Sequence, residues 1–377
     1  MKADRKYTLV TGGAGLMGSH LVDLLIEQGY SVRILDNLEP ETHLQGKPPW
    51  INSKAHFIQG DIRDESVLSR ALQGVRGVFH LAAFGGFTPE TSKYVDVNVN
   101  GTARIFESIA QGKCEVQKIV IASSQGVYGE GAYRCKKDGP LATPLRPLEQ
   151  LKRKQWDPFC PRCGNQLEPV PTPEEKSREC ETPYTLSKEF SERLALAQGR
   201  RLGIPVVALR YGVTYGPRQS IFNPYTGVVS IFSTRILNDL PPVVYEDGEQ
   251  TRDFIYVGDV AKATLFAMEN ALASFEVFNV GTGKPTTVAR LAKTLASIYG
   301  KKIEPKIPGE FRWGDVRHIL LDPGKLNRLG FRAQTSLEEG LSLFAKWIQG
   351  QGSVKQYFTE AYEKLKKHRL IYTQDEK

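Results

Sequence analysis

A tyrosine and a lysine four residues apart, Tyr184 and Lys188, are the residues in this sequence best suited to acid–base chemistry. Residues at this spacing lie on one face of a helix, so the phenol and the ammonium would be neighbours. A free tyrosine has a pKa near 10, but an adjacent cation stabilises the phenolate and lowers that pKa. Ser123 and Ser124 follow the apolar run 118–122, and we expect Ser124 to meet Tyr184 on one substrate oxygen.

Three glycines after the first predicted strand indicate a site for a phosphate-bearing ligand. Gly12, Gly15 and Gly18 follow the apolar residues 8–10 and open a segment, 16–28, with helical periodicity. Glycine lets the backbone turn tightly and lets a pyrophosphate approach the helix N-terminus, where free N–H groups and the helix dipole favour anions. The strand before and the helix after distinguish a dinucleotide site from an ordinary glycine-rich turn.

An acidic residue at the end of the second predicted strand supports the same interpretation. Asp36 lies 18 residues beyond Gly18, where a carboxylate can hold ribose hydroxyls. The carboxylate would repel an extra 2′-phosphate, and no arginine follows it, so the sequence favours NAD over NADP. Asp61, after the third predicted strand, is placed to meet the adenine edge.

Four of the five cysteines fall within 46 residues, namely Cys135, Cys160, Cys163 and Cys180. Cys160 and Cys163 have the Cys-x-x-Cys spacing of a zinc knuckle, whose tight turn holds two thiolates for tetrahedral coordination. With the outer two cysteines they predict a structural zinc site that would order the surrounding segment. The alternatives are reduced thiols without a metal and, less favoured, a redox pair, since the turn is not at a strand–helix junction.

Composition describes a globular chain with a basic surface. The 377 residues are 40% hydrophobic, enough for one large α/β domain or two smaller ones with a buried core. The net charge of +8 suits an anionic substrate such as a nucleotide or sugar phosphate. No long basic run with interleaved aromatics occurs, so nucleic acid is not an expected partner. Without an apolar run of about 18 residues or an apolar N-terminal segment, no membrane contact is expected and the protein is expected in the cytoplasm.

Short apolar strands alternate with helices through the first half of the chain, at 7–10, 31–36, 56–59, 78–82 and 118–122. This rhythm is typical of a parallel sheet covered on both faces. We therefore predict an α/β fold, a Rossmann-type doubly wound parallel sheet with a smaller mixed α/β C-terminal substrate domain. His80, inside one of these apolar strands, is expected to be a core residue rather than a ligand.

Two domains are predicted. Residues 1–210 form the NAD-binding domain, with a Cys-rich insertion at 130–180 that shows neither helical nor strand periodicity. Residues 211–377 form mainly the substrate domain and are partly interleaved with the first.

The motifs of the chain resemble those of the extended short-chain dehydrogenase/reductases, and among them the NAD-dependent nucleotide-sugar epimerases and dehydratases. The resemblance extends over almost the whole chain outside the insertion. The matching stretches are Thr11-Gly12-Gly13-Ala14-Gly15, His80-Leu81-Ala82-Ala83, Asn98-Val99-Asn100-Gly101-Thr102, Ser123-Ser124, Tyr184 with Lys188, Tyr215-Gly216-Pro217, Arg252-Asp253-Phe254 and Arg312-Trp313-Gly314-Asp315.

The resemblance implies that Ser124, Tyr184 and Lys188 are the catalytic residues. Tyr184 would take the proton of a sugar hydroxyl while carbon 4 passes a hydride to NAD, and Ser124 would hold that oxygen. Lys188 would bind the nicotinamide ribose and, with the positive nicotinamide, lower the tyrosine pKa. The implied cofactor residues are Gly12, Gly15, Leu16, Met17, Gly18, Asp36, Asn37, Asp61, Ile62, Leu81, Ala82, Ala83, Asn98, Tyr184, Lys188 and Tyr211.

A nucleotide-diphosphate sugar is the implied substrate. Arg252 and Arg312 would bind the diphosphate, because guanidinium groups form paired hydrogen bonds with phosphate oxygens. Tyr245 would stack on the base and Asp315 would hold the nucleotide ribose. Ser124, Gln125 and Asn223 complete the implied substrate site, and the family implies a homodimer through helices at 94–111 and 184–202.

The residues after Ser124 indicate which reaction the resemblance implies. The 4,6-dehydratases of the family carry an Asp-Glu pair there, whereas this chain has Gln125-Gly126, which cannot act as a general acid or base. A 4-epimerase is therefore expected. Residues 128–135, the turn 160–164 and the stretch Asn223-Pro224-Tyr225-Thr226-Gly227 resemble one subgroup, the dTDP-L-rhamnose 4-epimerases.

Three alternatives remain open at this point. A UDP-glucose-type 4-epimerase would act by the same chemistry on another sugar, and a nucleotide-sugar 4-ketoreductase would consume a reduced nicotinamide cofactor. A non-enzymatic NAD-sensing protein is disfavoured, because it would need neither a base nor a diphosphate site.

Overall fold

The strands and helices of the chain alternate into a parallel sheet. The computed structural model describes residues 6–372 except 87, 89, 113, 142, 144, 224–226 and 353. In chain order the strands are β1 (Tyr7–Thr11), β2 (Val32–Asp36), β3 (His56–Gln59), β4 (Val75–His80), β5 (Lys118–Ser124), β6 (Ala132–Cys135), β7 (Gly139–Leu141), β8 (Glu168–Val170), β9 (Val206–Tyr211), β10 (Val213–Tyr215), β11 (Thr251–Tyr256), β12 (Val277–Val280) and β13 (Pro285–Thr287). Seven of them form one sheet in the order β12-β9-β5-β4-β1-β2-β3. Every neighbouring pair in this sheet is parallel.

The strand order reverses between β1 and β4. From β1 the sheet extends one way through β2 and β3 and the other way through β4, β5, β9 and β12. At such a reversal the connections leave in opposite directions and open a crevice at the carboxyl edge of the strands, where doubly wound folds bind ligands. Asp36 and Ser124 are the last residues of β2 and β5, so both lie at this edge.

Helices cover both faces of the sheet, as the sequence predicts. They are α1 (Leu16–Glu27), α2 (Glu65–Leu72), α3 (Thr91–Tyr94), α4 (Gly101–Ala110), α5 (Leu148–Lys152), α6 (Pro183–Leu202), α7 (Val228–Leu237), α8 (Val257–Glu269), α9 (Val288–Ile298), α10 (Gly324–Arg328), α11 (Leu337–Gln349) and α12 (Phe358–Lys367). Successive residues of β1 serve two cores: Val10 packs with α1 and α8, and Leu9 with α4 and α6. No helix within the described ranges is long and apolar enough to cross a membrane.

Helix α6 begins and ends with strong local signals. Thr182 caps its N-terminus in a capping box with Thr185, and Pro183 occupies the first turn. Gly203, in the left-handed conformation at φ 68°, ends it. These residues satisfy the free N–H and C=O groups of the helix ends and so fix where Tyr184 lies.

The second half of the chain contributes to both parts of the molecule. Strand β12 joins the large sheet beside β9, and α8 packs on α1. Strands β10, β11 and β13 form a small sheet, and a third core lies between α7, α9 and α11. The domain boundary at residue 210 stays a prediction. The seven-stranded sheet includes β12, which comes after that residue.

The insertion at 130–180, which shows neither helical nor strand periodicity in the sequence, has regular structure. Strand β6 pairs antiparallel with β7 and with β8, and α5 follows β7. The strands are three or four residues long, and β7 and β8 each contain a proline. Strands this short cannot display the alternation that identifies a strand in a sequence.

Candidate functional site

The main cavity lies at the carboxyl edge of the sheet, where the strand order reverses. Its volume is about 450 Å³, and it extends from the glycine turn after β1 to Ser124 and Tyr184. The predicted site residues that line it are Gly12, Gly15, Leu16, Met17, Gly18, Asp36, Asn37, Asp61, Ile62, Leu81, Ala82, Ala83, Ser124, Gln125, Tyr184, Tyr211 and Asn223. Pro224, Tyr225 and Thr226 of the subgroup stretch lie outside the described residues.

The glycine turn packs too closely for side chains. Gly12 has a φ of +69°, and a Cβ there would lie 2.7 Å from the backbone nitrogen of Ala82. A Cβ on Gly18 would overlap the carbonyl oxygen of Gly12. Gly15 is the N-cap of α1 and gives the helix no side-chain cap. The first turn of α1 therefore lines the cavity with uncapped N–H groups, the arrangement that binds a pyrophosphate.

Asp36 is held rigidly at the end of β2. Its Oδ2 accepts a hydrogen bond from the N–H of Ala14 at 2.9 Å, and its Oδ1 accepts one from the N–H of Leu38 at 2.9 Å. A carboxylate has further lone pairs, which remain for the hydroxyls of a ligand in the cavity. Hydrogen bonds from Arg63 hold the pKa of the neighbouring Asp61 below its usual value.

Tyr184 is hydrogen-bonded to Ser124, as the sequence predicts for a shared substrate oxygen. The tyrosine ring packs edge-on against Tyr94, with ring centroids 6.2 Å apart. Burial raises the pKa of Tyr184, and the Ser124 hydrogen bond opposes the rise only in part. In the protein alone, removing the phenol from water thus disfavours the phenolate more than its neighbours favour it. The lowered pKa expected with the positive nicotinamide beside Tyr184 stays a prediction.

Lys188 lies behind the cavity wall, one helical turn from Tyr184. It is 5% exposed, and burial lowers its pKa to about 8, against the opposing charge of Glu192. His80 lies nearby, fully buried, with its ring nitrogens 2.8 Å from Thr11 Oγ1 and 3.0 Å from Thr102 Oγ1. Both ring nitrogens have partners, which confirms that His80 is a core residue.

Asn98, a predicted cofactor residue, also lies behind the wall. Its Oδ1 accepts a hydrogen bond from the N–H of Phe84 at 2.7 Å, and its Nδ2 donates to Phe84 O at 3.0 Å and to Ser187 Oγ at 2.8 Å. The amide therefore holds the segment after β4 against α6. A direct cofactor contact by Asn98 stays a prediction.

A second cavity, of about 180 Å³, opens from the first. Ser124, Gln125 and Tyr184 line both cavities, and Asp315 and Leu145 line the second. The amide oxygen of Gln125 is buried and has no hydrogen-bond partner among the described residues. A buried polar atom in that position indicates a ligand that donates a hydrogen bond at the junction of the two cavities.

Four of the predicted substrate residues lie together, namely Tyr245, Arg252, Arg312 and Asp315, and Asp315 lines the second cavity. Asp315 accepts hydrogen bonds from Arg312, the shorter at 2.7 Å, and from Arg252 at 3.3 Å. The guanidinium of Arg312 lies 5.1 Å from the ring centroid of Tyr245. Asp315, predicted to hold a nucleotide ribose, is thus engaged with both arginines, and Arg252 also donates to the carbonyl oxygens of Thr251, Val316 and Arg317.

Sequence reasoning missed a buried ionic network that joins the insertion to this arginine pair. Arg146 uses all five N–H donors, on Glu130, on both carboxylate oxygens of Glu246, and on the carbonyl oxygens of Trp156 and Asp315, at 2.7–3.1 Å. Glu246 is 100 residues away in the chain. Partners at that separation leave no periodicity or spacing by which a sequence could reveal them.

Three of the four predicted metal-binding cysteines lie together. The thiols of Cys135, Cys160 and Cys163 and a carboxylate oxygen of Asp138 all lie within 4.8 Å of one another. Cys180 is not part of this group, because its Sγ lies 3.6 Å from Glu189 Oε2 at the start of α6 and lines the second cavity. The prediction of Cys180 as a ligand is corrected: the turn after β6 brings Asp138 to that place, and the chain leading into α6 carries Cys180 away.

The comparisons with known proteins agree with this site. A family model described as the NAD dependent epimerase/dehydratase family matches residues 8–153 and 164–281. The dTDP-L-rhamnose 4-epimerase of Burkholderia thailandensis is 34% identical over 357 residues, which cover 92% of this chain and 95% of that protein.

Solved structures of epimerases share the fold. The UDP-glucose 4-epimerase of Thermotoga maritima with UDP-glucose has a TM-score of 0.76 at 34% identity, covering 92% of this chain and 100% of that one. The UDP-glucose 4-epimerase of Thermus thermophilus in complex with NAD has a TM-score of 0.72 at 30% identity, covering 91% and 99%.

Proposed function

Because the chain belongs to the NAD-dependent epimerase/dehydratase family, we propose that it is a nucleotide-sugar 4-epimerase whose substrate is dTDP-L-rhamnose. The observation that carries the proposal is the Ser124–Tyr184 hydrogen bond at the junction of the two cavities. On one side lies a dinucleotide cavity, and on the other a pair of arginines. The Burkholderia relative supports the choice of sugar.

The residues of the main cavity fit NAD. The glycine turn leaves no room for a Cβ at Gly12 or Gly18, and the uncapped N-terminus of α1 suits a pyrophosphate. Asp36 suits the hydroxyls of an unphosphorylated ribose, since its carboxylate would repel a 2′-phosphate. The chemistry that NAD supplies when bound is removal of a hydride from carbon 4 and its return, so that the cofactor is unchanged after each turnover.

The chain's own residues move and hold the proton of the 4-hydroxyl. Tyr184 Oη takes that proton as the sugar is oxidised and gives it back when the sugar is reduced. Ser124 Oγ holds the same oxygen through both steps. Arg252 and Arg312 hold the diphosphate, so the sugar ring can turn and present its opposite face. Lys188 keeps a positive charge one helical turn behind the phenol, which favours the phenolate.

Epimerisation fits the site better than elimination of water. Elimination needs a general acid and a general base beside the sugar. The residues after Ser124 at the junction of the cavities are Gln125 and Gly126, and neither titrates. A UDP-glucose-type 4-epimerase is the second candidate, favoured by the similarity to the Thermotoga maritima enzyme.

Proton NMR of the purified protein with dTDP-L-rhamnose and, separately, with UDP-glucose tests the proposal. Without added nicotinamide, we expect dTDP-L-rhamnose to convert to an equilibrium mixture of C4 epimers and UDP-glucose to stay unchanged. Conversion of UDP-glucose alone would establish the second candidate. A ketoreductase would instead consume added NADH or NADPH stoichiometrically when given a 4-keto nucleotide sugar, and would leave both test sugars unchanged. No change in either sugar with NAD present would refute both epimerase assignments.

Zinc is the metal we assign to the insertion. Three thiols and one carboxylate oxygen supply the four ligands of a structural zinc site. Metal analysis of freshly purified protein should give about one zinc per chain. A value below about half would favour reduced thiols without a metal.

A homodimer is proposed through α6 and the helical segment at 91–110. Leu186 and Phe190 lie one turn apart on α6 and are 47% and 57% exposed, and Val95 in the second segment is 52% exposed. Large exposed apolar side chains on two neighbouring helical segments favour a surface that another protein covers. Sedimentation should show a dimer that Phe190→Glu dissociates and that Leu272→Glu, at an exposed site elsewhere, leaves intact. A wild-type monomer would contradict the proposal.

We place the enzyme in the cytoplasm, in polysaccharide biosynthesis. None of the five cysteines, all of which lie within the described ranges, forms a disulfide, as a reducing compartment favours. A 4-epimerised nucleotide sugar is an activated donor for glycan assembly. Cell fractionation with an antibody against the chain tests the location.

A further inference from the structure

We propose that a divalent metal ion bound by Cys135, Asp138, Cys160 and Cys163 sets the affinity of the protein for a nucleoside diphosphate, without touching it. The metal does so by fixing the insertion, whose Glu130 and Arg146 hold the segment that carries Arg312 and Asp315. The inference rests on the proposed function, in which that segment binds the diphosphate of the substrate.

The four ligand atoms already have the spacing of a coordination shell. Asp138 Oδ2 lies 3.4 Å from Cys135 Sγ and 3.2 Å from Cys160 Sγ, and the sulfurs of Cys135 and Cys163 are 3.4 Å apart. Zinc bonds of about 2.3 Å to sulfur and about 2.1 Å to oxygen place tetrahedral ligand atoms about 3.6 Å (sulfur–oxygen) or 3.8 Å (sulfur–sulfur) apart, so binding an ion needs shifts of only about 0.4 Å. The knuckle is closed by the N–H of Gly164 donating to Cys160 O at 2.9 Å.

The hydrophobic core of the insertion is small, and its other ties are the ionic network around Arg146 and backbone hydrogen bonds to residues 318–322. Its own core contains Tyr133, Cys135, Cys160 and Leu167, with Leu141 and Cys163 packed beside it. A core of this size is too small to order a segment of about 50 residues, and small modules of this kind usually depend on a metal or disulfides. Two of its four buried members are metal ligands, so the ion and the core form one unit.

A short path leads from the metal ligands to the second cavity. Tyr133 lies two residues before Cys135 on β6, and its hydroxyl donates to Glu130 Oε2 at 3.0 Å. The carboxylate of Glu130 accepts hydrogen bonds from the N–H of Arg317, at 2.9 and 3.0 Å, and from Arg146 Nε at 3.1 Å. The position of the metal ligand Cys135 on β6 therefore fixes Tyr133 and, through its hydrogen bond, Glu130, which contacts the segment that contains Asp315.

Arg146 makes the decisive contact. Its Nη2 donates to the carbonyl oxygen of Asp315 at 2.8 Å, and the side chain of Asp315 in turn engages Arg252 and Arg312. The side chains of Arg146, Glu130 and Glu246 are 1%, 0% and 4% exposed. Separating these buried charges would leave each of them unpaired, so the ion pairs of Arg146 with Glu130 and Glu246 are expected to form or break together.

Titration of nucleotides into the full chain with its NAD tests the proposal. The probes are dTDP and UDP, measured by calorimetry, and metal content is measured on the same samples. Removal of the metal by a chelator, and the variants Asp138→Asn and Cys163→Ser, should weaken binding of the better probe at least tenfold. Zinc added back to the stripped wild type should restore it, and affinity for NAD should stay within about twofold throughout.

Two further variants distinguish the effect of losing the Arg146 contacts from the effect of losing the metal ion. Arg146→Met should weaken the probe as much as metal removal does while the zinc content stays at that of wild type. Cys114→Ser, a thiol outside the cluster, should change neither quantity. Circular dichroism identifies any variant that fails to fold. For such a variant, the change in probe affinity on removing zinc from wild type and adding it back tests the proposal instead.

Three results would overturn the proposal. Purified protein that binds the probe normally and contains no metal would remove its premise. Unchanged probe affinity after complete, verified metal removal would refute the coupling and leave the epimerase assignment intact. Absence of dTDP and UDP binding in metal-loaded protein would refute the proposed diphosphate site itself, and with it the inference.

Discussion

Replacing Lys188 with methionine should stabilise the protein at neutral pH and lose most of that gain at alkaline pH. Lys188 is 5% exposed, and burial lowers its pKa from 10.5 to about 8, with Glu192 opposing the change. The ammonium is therefore less favourable in the folded protein than in the unfolded chain. Methionine has a similar length, no charge and a flexible shape that suits irregular apolar surroundings.

Linkage between protonation and folding gives the sign and size of the effect. Below pH 8 the lysine is protonated in both states, so the folded state bears the whole penalty, about 3 kcal/mol at about 1.4 kcal/mol per pKa unit. As pH rises through 8 toward 10.5, the folded lysine loses its proton before the unfolded one does. The penalty then falls to about 1 kcal/mol at pH 9.5. Between pH 7 and 9.5, the free energy of unfolding of wild type should therefore rise by about 2 kcal/mol relative to that of Lys188→Met.

Urea unfolding of both proteins, freed of nucleotide and followed by circular dichroism at pH 6, 7, 8.5 and 9.5, measures this difference. Lys302→Met, at an exposed position, is the matched control and should keep the pH dependence of wild type. The informative quantity is the change of the gap with pH, because packing also contributes to its absolute size. A gap of the same size at pH 7 and pH 9.5 would refute the reasoning.

Three other substitutions test separate parts of the site. Tyr184→Phe keeps the ring contact with Tyr94 but removes the acid–base group, so the NMR-measured epimerisation rate should fall by about 10²–10⁴ with NAD still bound; a near-normal rate would exclude the mechanism. Gly15→Ala places a Cβ whose nearest neighbour is Gly12 O at 3.5 Å, so Tm should be unchanged while fluorescence titration shows NAD affinity at least tenfold weaker; unaltered NAD affinity would argue against a pyrophosphate at this turn. Burial lowers the pKa of His80 to about 3, so the unfolded chain gains a proton below pH 6.5 that the folded one does not. His80 should therefore lower the free energy of unfolding by about 3 kcal/mol between pH 6.5 and pH 4.5. In urea unfolding, His80→Gln should lose less stability than wild type over this range, and an equal loss in both proteins would contradict the shift.

The sequence by itself determined the elements whose signals are local. The glycines at 12, 15 and 18 need a tight turn between a strand and a helix, and Asp36 follows at a fixed distance along the same unit. Tyr184 and Lys188 are one helical turn apart, so their spacing alone makes them neighbours. A parallel sheet follows from apolar strands alternating with helices, and here it includes all five strands that the first half predicts.

The tertiary structure decided what depends on contacts between distant parts of the chain and on burial. Asp138 rather than Cys180 joins the three thiols, because the turn after β6 folds back on the knuckle while Cys180 leaves with α6. Arg146 meets Glu246 across 100 residues. Burial raises the pKa of Tyr184 in the protein alone, since the depth at which α6 lies in the fold sets how much water reaches the phenol. Local spacing fixes which groups are adjacent along an element, but only packing fixes their depth and their distant partners.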